Sequence, residues 1–138
     1  LRMGKAYGQM GAWQRAEAAY QQALALDPEN ARAYRELSRI YLRRNWYEEA
    51  AEAALTSVGL LYHQPLTHFY LGRALMALGY FDRAEEAFLV ATQQAPGLRR
   101  GYEQLADLYE NHMKRPAMAE TMRQTAVERI QTKTNDQT

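Results

Sequence analysis

The stretch GYFDRAEEAF at residues 79–88 nearly repeats the stretch GAWQRAEAAY at residues 11–20, which lies 68 residues earlier. Halfway between them, residues 45–54 read NWYEEAAEAA. Each stretch opens with Gly or Asn, places an aromatic residue two positions later, and continues with regularly spaced alanines. A period of 34 residues indicates a tandem array of one structural unit, since such units bury their apolar faces against one another.

The first half of each period carries a large, a small and a second large residue at positions i, i+1 and i+4. This spacing places all three along one stripe of a helix, and the small residue lets a partner helix approach closely. The four sets are Met3, Gly4 and Tyr7; Leu37, Ser38 and Tyr41; Leu71, Gly72 and Leu75; and Leu105, Ala106 and Tyr109.

The second half of the period predicts another helix, with apolar or small residues at i, i+4 and i+7. The first three sets are Ala16, Tyr20 and Ala23; Ala50, Ala54 and Ser57; and Ala84, Phe88 and Ala91. Asp27-Pro28 and Pro96-Gly97 are expected to end this helix, because proline lacks an amide hydrogen and clashes with the preceding turn. Gly11, Asn45 and Gly79 are predicted to take the left-handed conformation that ends the preceding helix.

The fourth copy departs from the pattern. At a strict period of 34, the positions that hold Ala84, Phe88 and Ala91 in the third copy hold Met118, Met122 and Thr125 in the fourth. Pro116 lies at the start of that helix, where proline is tolerated, and we predict the helix over 117–130. The polar residues 131–138 are expected to fray. A last copy that departs from the pattern is expected at the end of an array, because its outer side faces water.

The columns together resemble the tetratricopeptide repeat, whose pattern of Leu-Gly-x-x-Tyr, Ala-x-x-x-Phe and a terminal Pro recurs every 34 residues. The resemblance covers residues 1–132 and implies an all-α fold, an α-solenoid of antiparallel helix pairs stacked into a right-handed superhelix. The expected repeats are a partial first copy over 1–30, then 31–64, 65–98 and 99–132, with a polar tail over 133–138. Because the first copy lacks its opening residues, we expect the chain to begin inside a helix of a larger protein.

Composition narrows the function classes. The 138 residues carry a net charge of +1 and no cysteine, which gives no overall electrostatic case for nucleic acid and no thiolate metal site. No apolar run approaches the roughly 18 residues of a membrane span. We expect a cytoplasmic protein without a cofactor. The opening LRMGKAYG has no signal-peptide pattern, and a signal further upstream stays an open alternative.

The charged residues separate by helix. In the first three copies the first helices carry eight basic residues against Glu36 alone, whereas the second helices are mainly acidic. In the family that the chain resembles, the first helices line a concave face. We therefore hypothesise a basic groove that binds an extended acidic segment of a partner protein. Its predicted contacts are Lys5, Arg32, Arg35, Arg39, Phe69, Arg73 and Met76.

Three alternatives stay open at this stage. The arginines could only solvate a helix face or pair with neighbouring carboxylates. The chain could be an accessory domain that serves oligomerisation or regulation in a larger multidomain enzyme of bacterial type. It could also form homo-oligomers through the ends of the array.

Other residue patterns give weaker functional signals. His63 and His68 lie five apart, not at the four-residue spacing that suits a metal, and favour hydrogen-bonding or surface roles. Trp13 and Trp46 could stack on bases, but their positions favour packing between helices. With no Gly-rich phosphate loop and no Ser/His/Asp set, the sequence predicts a protein that is not an enzyme.

Overall fold

A computed structural model of the protein describes residues 11–136, with side chains through residue 129. Within that range every regular element is an α-helix. The helices are α1 (Ala12–Leu26), α2 (Ala31–Arg43), α3 (Tyr47–Leu60), α4 (Pro65–Ala77), α5 (Phe81–Gln94), α6 (Arg99–Asn111) and α7 (Pro116–Asp136). The all-α prediction is confirmed.

The helices pack as consecutive antiparallel pairs, and the pairs stack. The most extensive contacts join α2 with α3, α4 with α5 and α6 with α7. The first helices of neighbouring pairs also touch directly, α2 against α4 and α4 against α6. In the described residues α3 makes no contact with α5, nor α5 with α7. The stack therefore curves, with α2, α4 and α6 on its inner, concave side.

The residues at the recurring positions of the 34-residue period form the core between the helices. Leu37, Leu71 and Leu105 are all buried, and so are the small residues that follow them. The second helices bury Ala50 and Ala84 completely. The repeat pattern therefore identifies the packing faces of α2 to α6 correctly.

Gly72 shows why the residue that follows the first large residue of each repeat must be small. A Cβ atom built on Gly72 would lie 2.6 Å from the ring of Phe88, whose side chain is fully buried. No real Cβ atom tolerates such a contact, so the ring occupies the space that a side chain would need. In the preceding repeat, Ser38 instead donates a hydrogen bond of 2.8 Å to the carbonyl of Ala50, which ties α2 to α3.

Two of the three predicted left-handed turns are present. Asn45 has φ 59° and Gly79 has φ 89°, and each lies two residues before the next helix. The left-handed conformation predicted for Gly11 is wrong, because its backbone is extended, with φ −78° and ψ 179°. The reason is that α1 begins directly after Gly11, one position earlier than the repeat period places it, so Gly11 is the N-cap.

The fourth repeat needs a second correction. Its two helices are joined by the four residues 112–115, whereas three residues join the helices of the earlier repeats. Lys114, with φ 53°, takes the left-handed position. The extra residue moves α7 by one position, so that Ala119 and Ala126 are buried while Met118 is exposed. Ala119 and Ala126 are seven apart, the same spacing as Ala84 and Ala91.

α7 also runs further than the sequence pattern predicts. It begins at Pro116, as a proline in a first turn allows, and continues to Asp136. The residues from 131 to 136 are therefore helical in the structure, whereas the polar composition predicts fraying there.

Gln64 joins repeats two and three through a buried polar network. Its side-chain amide donates to the carbonyl of Leu61 at 2.7 Å and to the carbonyl and hydroxyl oxygens of Ser57 at 3.0 Å. Its own carbonyl oxygen accepts from the Thr67 hydroxyl at 3.1 Å. Gln94 accepts a hydrogen bond from the backbone N–H of Gln64 at 3.0 Å. Because the partners lie at the end of α3, the start of α4 and the end of α5, the network fixes the junction of these three helices.

The Gly72 contact predicts opposite effects for two glycine substitutions. Gly72→Ala should lower the free energy of unfolding by about 1–3 kcal/mol, since the new methyl group overpacks against Phe88. Gly59→Ala, in α3, meets no atom within 4 Å and should raise it by about 0.5–1 kcal/mol through better helix propensity. Urea unfolding of both variants checks this, and equal effects would contradict the packing described.

His68 predicts a loss of stability in weak acid. Its Nε2 lies 2.8 Å from the carbonyl oxygen of Tyr62, and desolvation by burial lowers its pKa despite that hydrogen bond. The unfolded chain therefore binds a proton more readily, and stability falls as pH drops through about 6.5, the ordinary histidine pKa. Urea unfolding at pH 7.5 and pH 6 should show a smaller fall for His68→Gln than for the wild type. The exposed His63→Gln variant is the control. Because the charge of His63 also lowers the pKa of His68, this variant should show a fall slightly smaller than that of the wild type but larger than that of His68→Gln.

Candidate functional site

A pocket opens on the concave side where α2, α4 and α6 meet. Its volume is about 140 Å³. The lining residues are Arg39, Leu42, Arg43, Tyr70, Arg73 and Arg100; we call this site the arginine pocket. Four of its six residues are therefore permanently cationic at physiological pH.

The repeat geometry brings these arginines together from three helices. Arg39 and Arg43 are one turn apart on α2, which places them on the same face. Tyr70 and Arg73 lie three apart on α4 and share a face in the same way. Arg100 is in the first turn of α6. Since α4 contacts both α2 and α6 directly, these side chains come together around one pocket.

Glu36 partly neutralises the pocket. Its carboxylate accepts from Arg39 Nε at 2.9 Å and lies 3.4 Å from a terminal nitrogen of Arg35. The hydrogen bond to Glu36 raises the pKa of Arg39. Neither Arg43, Arg73 nor Arg100 forms an ion pair with a carboxylate in the part of the chain that the structure describes.

Phe69 lies beneath the pocket and does not line it. Its side chain is only 1% exposed and packs against Phe88, with ring centroids 5.9 Å apart. The helical register turns Phe69 into the core, so its predicted contact with a ligand has no exposed ring surface to support it. The guanidinium carbons of Arg100 and Arg73 lie 4.9 and 6.0 Å from its ring centroid. Both distances allow cation–π attraction, which helps hold the two cations in place.

Some of the other residues predicted to contact a ligand line the arginine pocket, and some do not. Of the predicted residues, Arg39 and Arg73 line the pocket, whereas Arg32 and Arg35 do not. Met76 is partly buried and packs against the core. Lys5 lies outside the described residues.

Sequence reasoning missed Arg43 and Arg100 as pocket residues. A signal for Arg100 was present, because it stands two periods after Arg32 in the same column. Arg43 follows Arg39 by one helical turn, which is also readable from the sequence. What the sequence lacked was the direct contact of α4 with both neighbours, which decides which arginines converge.

The acidic row of α6 is satisfied within its own repeat. Arg99 pairs with Glu103 at 2.6 Å, and Arg123 of α7 pairs with Glu110. Glu103 and Glu110 are therefore paired with other arginines and do not line the arginine pocket.

The tryptophans take structural positions. Trp13 and Trp46 meet edge to face with centroids 5.1 Å apart, and the guanidinium of Arg44 lies 4.5 Å from the Trp13 ring. Both rings are partly buried, which agrees with packing between helices. His68, as described, is hydrogen-bonded in the core. Among the described residues no group of three or more His, Cys, Asp or Glu could hold a metal ion.

The fold and the pocket define a class: a curved stack of antiparallel helix pairs with a binding surface on its inner side. Two family models described as tetratricopeptide repeat match the chain, over residues 1–61 and 65–98. The chain belongs to the tetratricopeptide repeat family. Domains of this family generally bind proteins or peptides, and family and fold together support a protein-interaction scaffold.

Solved structures of MamA share this fold. "Crystal structure of MamA" has a TM-score of 0.83 at 24% identity, covering 98% of this chain and 78% of that one. "MamA AMB-1 P212121" has a TM-score of 0.74 at 28% identity, covering 93% and 69%. "MamA 41-end from Desulfovibrio magneticus RS-1" has a TM-score of 0.80 at 19% identity, covering 95% and 73%. No curated protein is significantly similar to the chain in sequence.

None of the described helices is both long enough and apolar enough to cross a bilayer.

Proposed function

We propose that the protein is a non-catalytic interaction scaffold whose concave face binds an acidic segment of a partner protein. The observation that carries this is the arginine pocket, where four arginine side chains from three successive repeats line one opening. A carboxylate suits such a site, because the planar guanidinium fork can hold it through two parallel hydrogen bonds.

The charge balance at the pocket supports an acidic ligand. Only Glu36 pairs with a lining arginine in the described part of the chain. The remaining guanidiniums gain more from a bound anion than paired ones would, since their charge is not yet offset. Of these, Arg73 and Arg100 lie over the Phe69 ring, and the partly buried setting of Arg73 strengthens its contacts relative to open water.

The charges of the outer helices support binding at the inner side. Exposed carboxylates on the second helices, such as Glu48, Glu52, Asp82 and Glu86, repel an acidic segment from the convex side. The protein thus presents two faces of opposite charge. This arrangement steers an acidic ligand toward the concave face and should raise its association rate at low salt.

The proposal predicts selective loss of binding on charge reversal inside the pocket. Two degenerate peptide libraries of equal length, one rich in Glu and one rich in Lys, are passed over the immobilised protein. The wild type should retain the Glu-rich library, whereas Arg39→Glu/Arg73→Glu should bind it at least about tenfold more weakly, a change of about 1.4 kcal/mol.

The matched control is Arg15→Glu/Arg83→Glu, which makes the same change of net charge on exposed positions of α1 and α5. This variant should retain the Glu-rich library nearly as well as the wild type, and both variants are first checked to melt at the wild-type temperature. Equal losses in the two variants would show that only net charge matters. That result, or no retention by any protein, would refute the proposal and favour an accessory role in a larger protein.

A further inference from the structure

The arginine pocket holds more positive charge than one carboxylate can balance. Glu36 offsets one cation, and three guanidiniums remain without a carboxylate partner among the described residues. A single Asp or Glu side chain would leave two of them uncompensated. A phosphorylated side chain carries a charge of about −1.5 to −2 at pH 7 and three acceptor oxygens, which matches three donors.

The size of the pocket also fits one phosphoryl group. Its volume of about 140 Å³ is enough to admit several waters. A tetrahedral phosphoryl group therefore fits within it. A planar carboxylate reaches fewer of the donors that converge from α2, α4 and α6.

Two of the cations are held in place before any ligand binds. Arg73 and Arg100 both lie over the ring of Phe69, which is itself clamped in the core by Phe88. Tyr70 lines the same pocket and its hydroxyl group can donate a further hydrogen bond. Cations that are already ordered lose less side-chain entropy on binding, which favours a compact dianion over a diffuse acidic tract.

The surroundings argue against a polymer of phosphates. Glu36 lies at the α2 side of the pocket, and Glu103 and Asp107 lie on α6. A nucleic-acid strand or an anionic membrane would bring further phosphates against these carboxylates. A single phosphate on a segment of mixed charge avoids that repulsion.

We propose that the arginine pocket binds a phosphorylated serine or threonine side chain within the partner segment. This inference rests on the proposed function, since it assumes that the concave face binds a peptide. It adds a regulatory consequence: phosphorylation of the partner switches its binding on. Arginine clusters are a general means of recognising phosphorylated motifs.

The test compares three degenerate peptide libraries that differ only at a fixed central residue, which is Ser, Glu or phosphoserine. Retention is measured on the wild-type protein, on Arg73→Gln/Arg100→Gln and on the control Arg15→Gln/Arg83→Gln. The wild type and the control should bind the phosphoserine library at least about fivefold more tightly than the Glu library. Arg73→Gln/Arg100→Gln should lose that preference while it melts at the wild-type temperature.

The pH dependence of retention is an independent readout. The second pKa of a phosphate ester is about 6, whereas the arginines stay protonated. Binding of the phosphoserine library should therefore weaken several-fold between pH 7 and pH 5.5, and binding of the Glu library should weaken much less.

The outcomes separate the two proposals. If the Glu library binds as tightly as the phosphoserine library, the phosphate inference is overturned while the acidic-groove function stands. If a phosphoserine preference persists in Arg73→Gln/Arg100→Gln, the phosphate site lies elsewhere and the inference is again overturned. If no library is retained above the Ser level, both proposals fail.

Discussion

The packing of Phe88 onto Gly72 is the contact on which the rest of the structure depends. It lets α4 and α5 approach so closely that the ring fills the space of a missing side chain. Phe88 in turn supports Phe69, and Phe69 lies under Arg73 and Arg100. A single small residue in the core is thus connected, through two aromatic rings, to the cations of the concave face.

The same packing makes the array curve. Large and small residues interlock within each helix pair, and the first helices touch their neighbours while the second helices do not. Curvature gathers residues that are about one period apart, such as Arg39 and Arg73, on one inner surface. A solenoid therefore builds a site from side chains that no single helix could assemble.

Two carboxylates of the second helices are engaged by tyrosines of the first helices that follow them. Glu17 accepts a hydrogen bond from Tyr41 at 3.2 Å, and Glu85 accepts one from Tyr109 at 2.6 Å. Burial, and then this bond to Glu85, raise the pKa of Tyr109, so its hydroxyl stays protonated. Glu17 thus fastens the first repeat to the second and Glu85 fastens the third to the fourth, and neither residue lines the arginine pocket.

The 34-residue period predicted the fold class, the helix pairs and the buried columns, because packing in a repeat protein is set by local spacing. It failed where the spacing changes: the additional residue before Pro116 moves α7 by one position, and only the pair Ala119 and Ala126 signalled it. The site was predicted in part. Arg39 and Arg73 share a column and could be found, but the burial of Phe69 and the approach of Arg100 depend on contacts between repeats.

The most direct test of the account is an NMR titration that follows the arginine side-chain Nε–Hε signals. An Asp- and Glu-rich peptide with one central phosphoserine is added to the wild-type protein at physiological salt. The account predicts that the signals of Arg39, Arg43, Arg73 and Arg100 shift together with one dissociation constant, while those of Arg15 and Arg83 stay in place. Shifts that spread evenly over all arginines, or that leave the pocket signals unmoved, would contradict it.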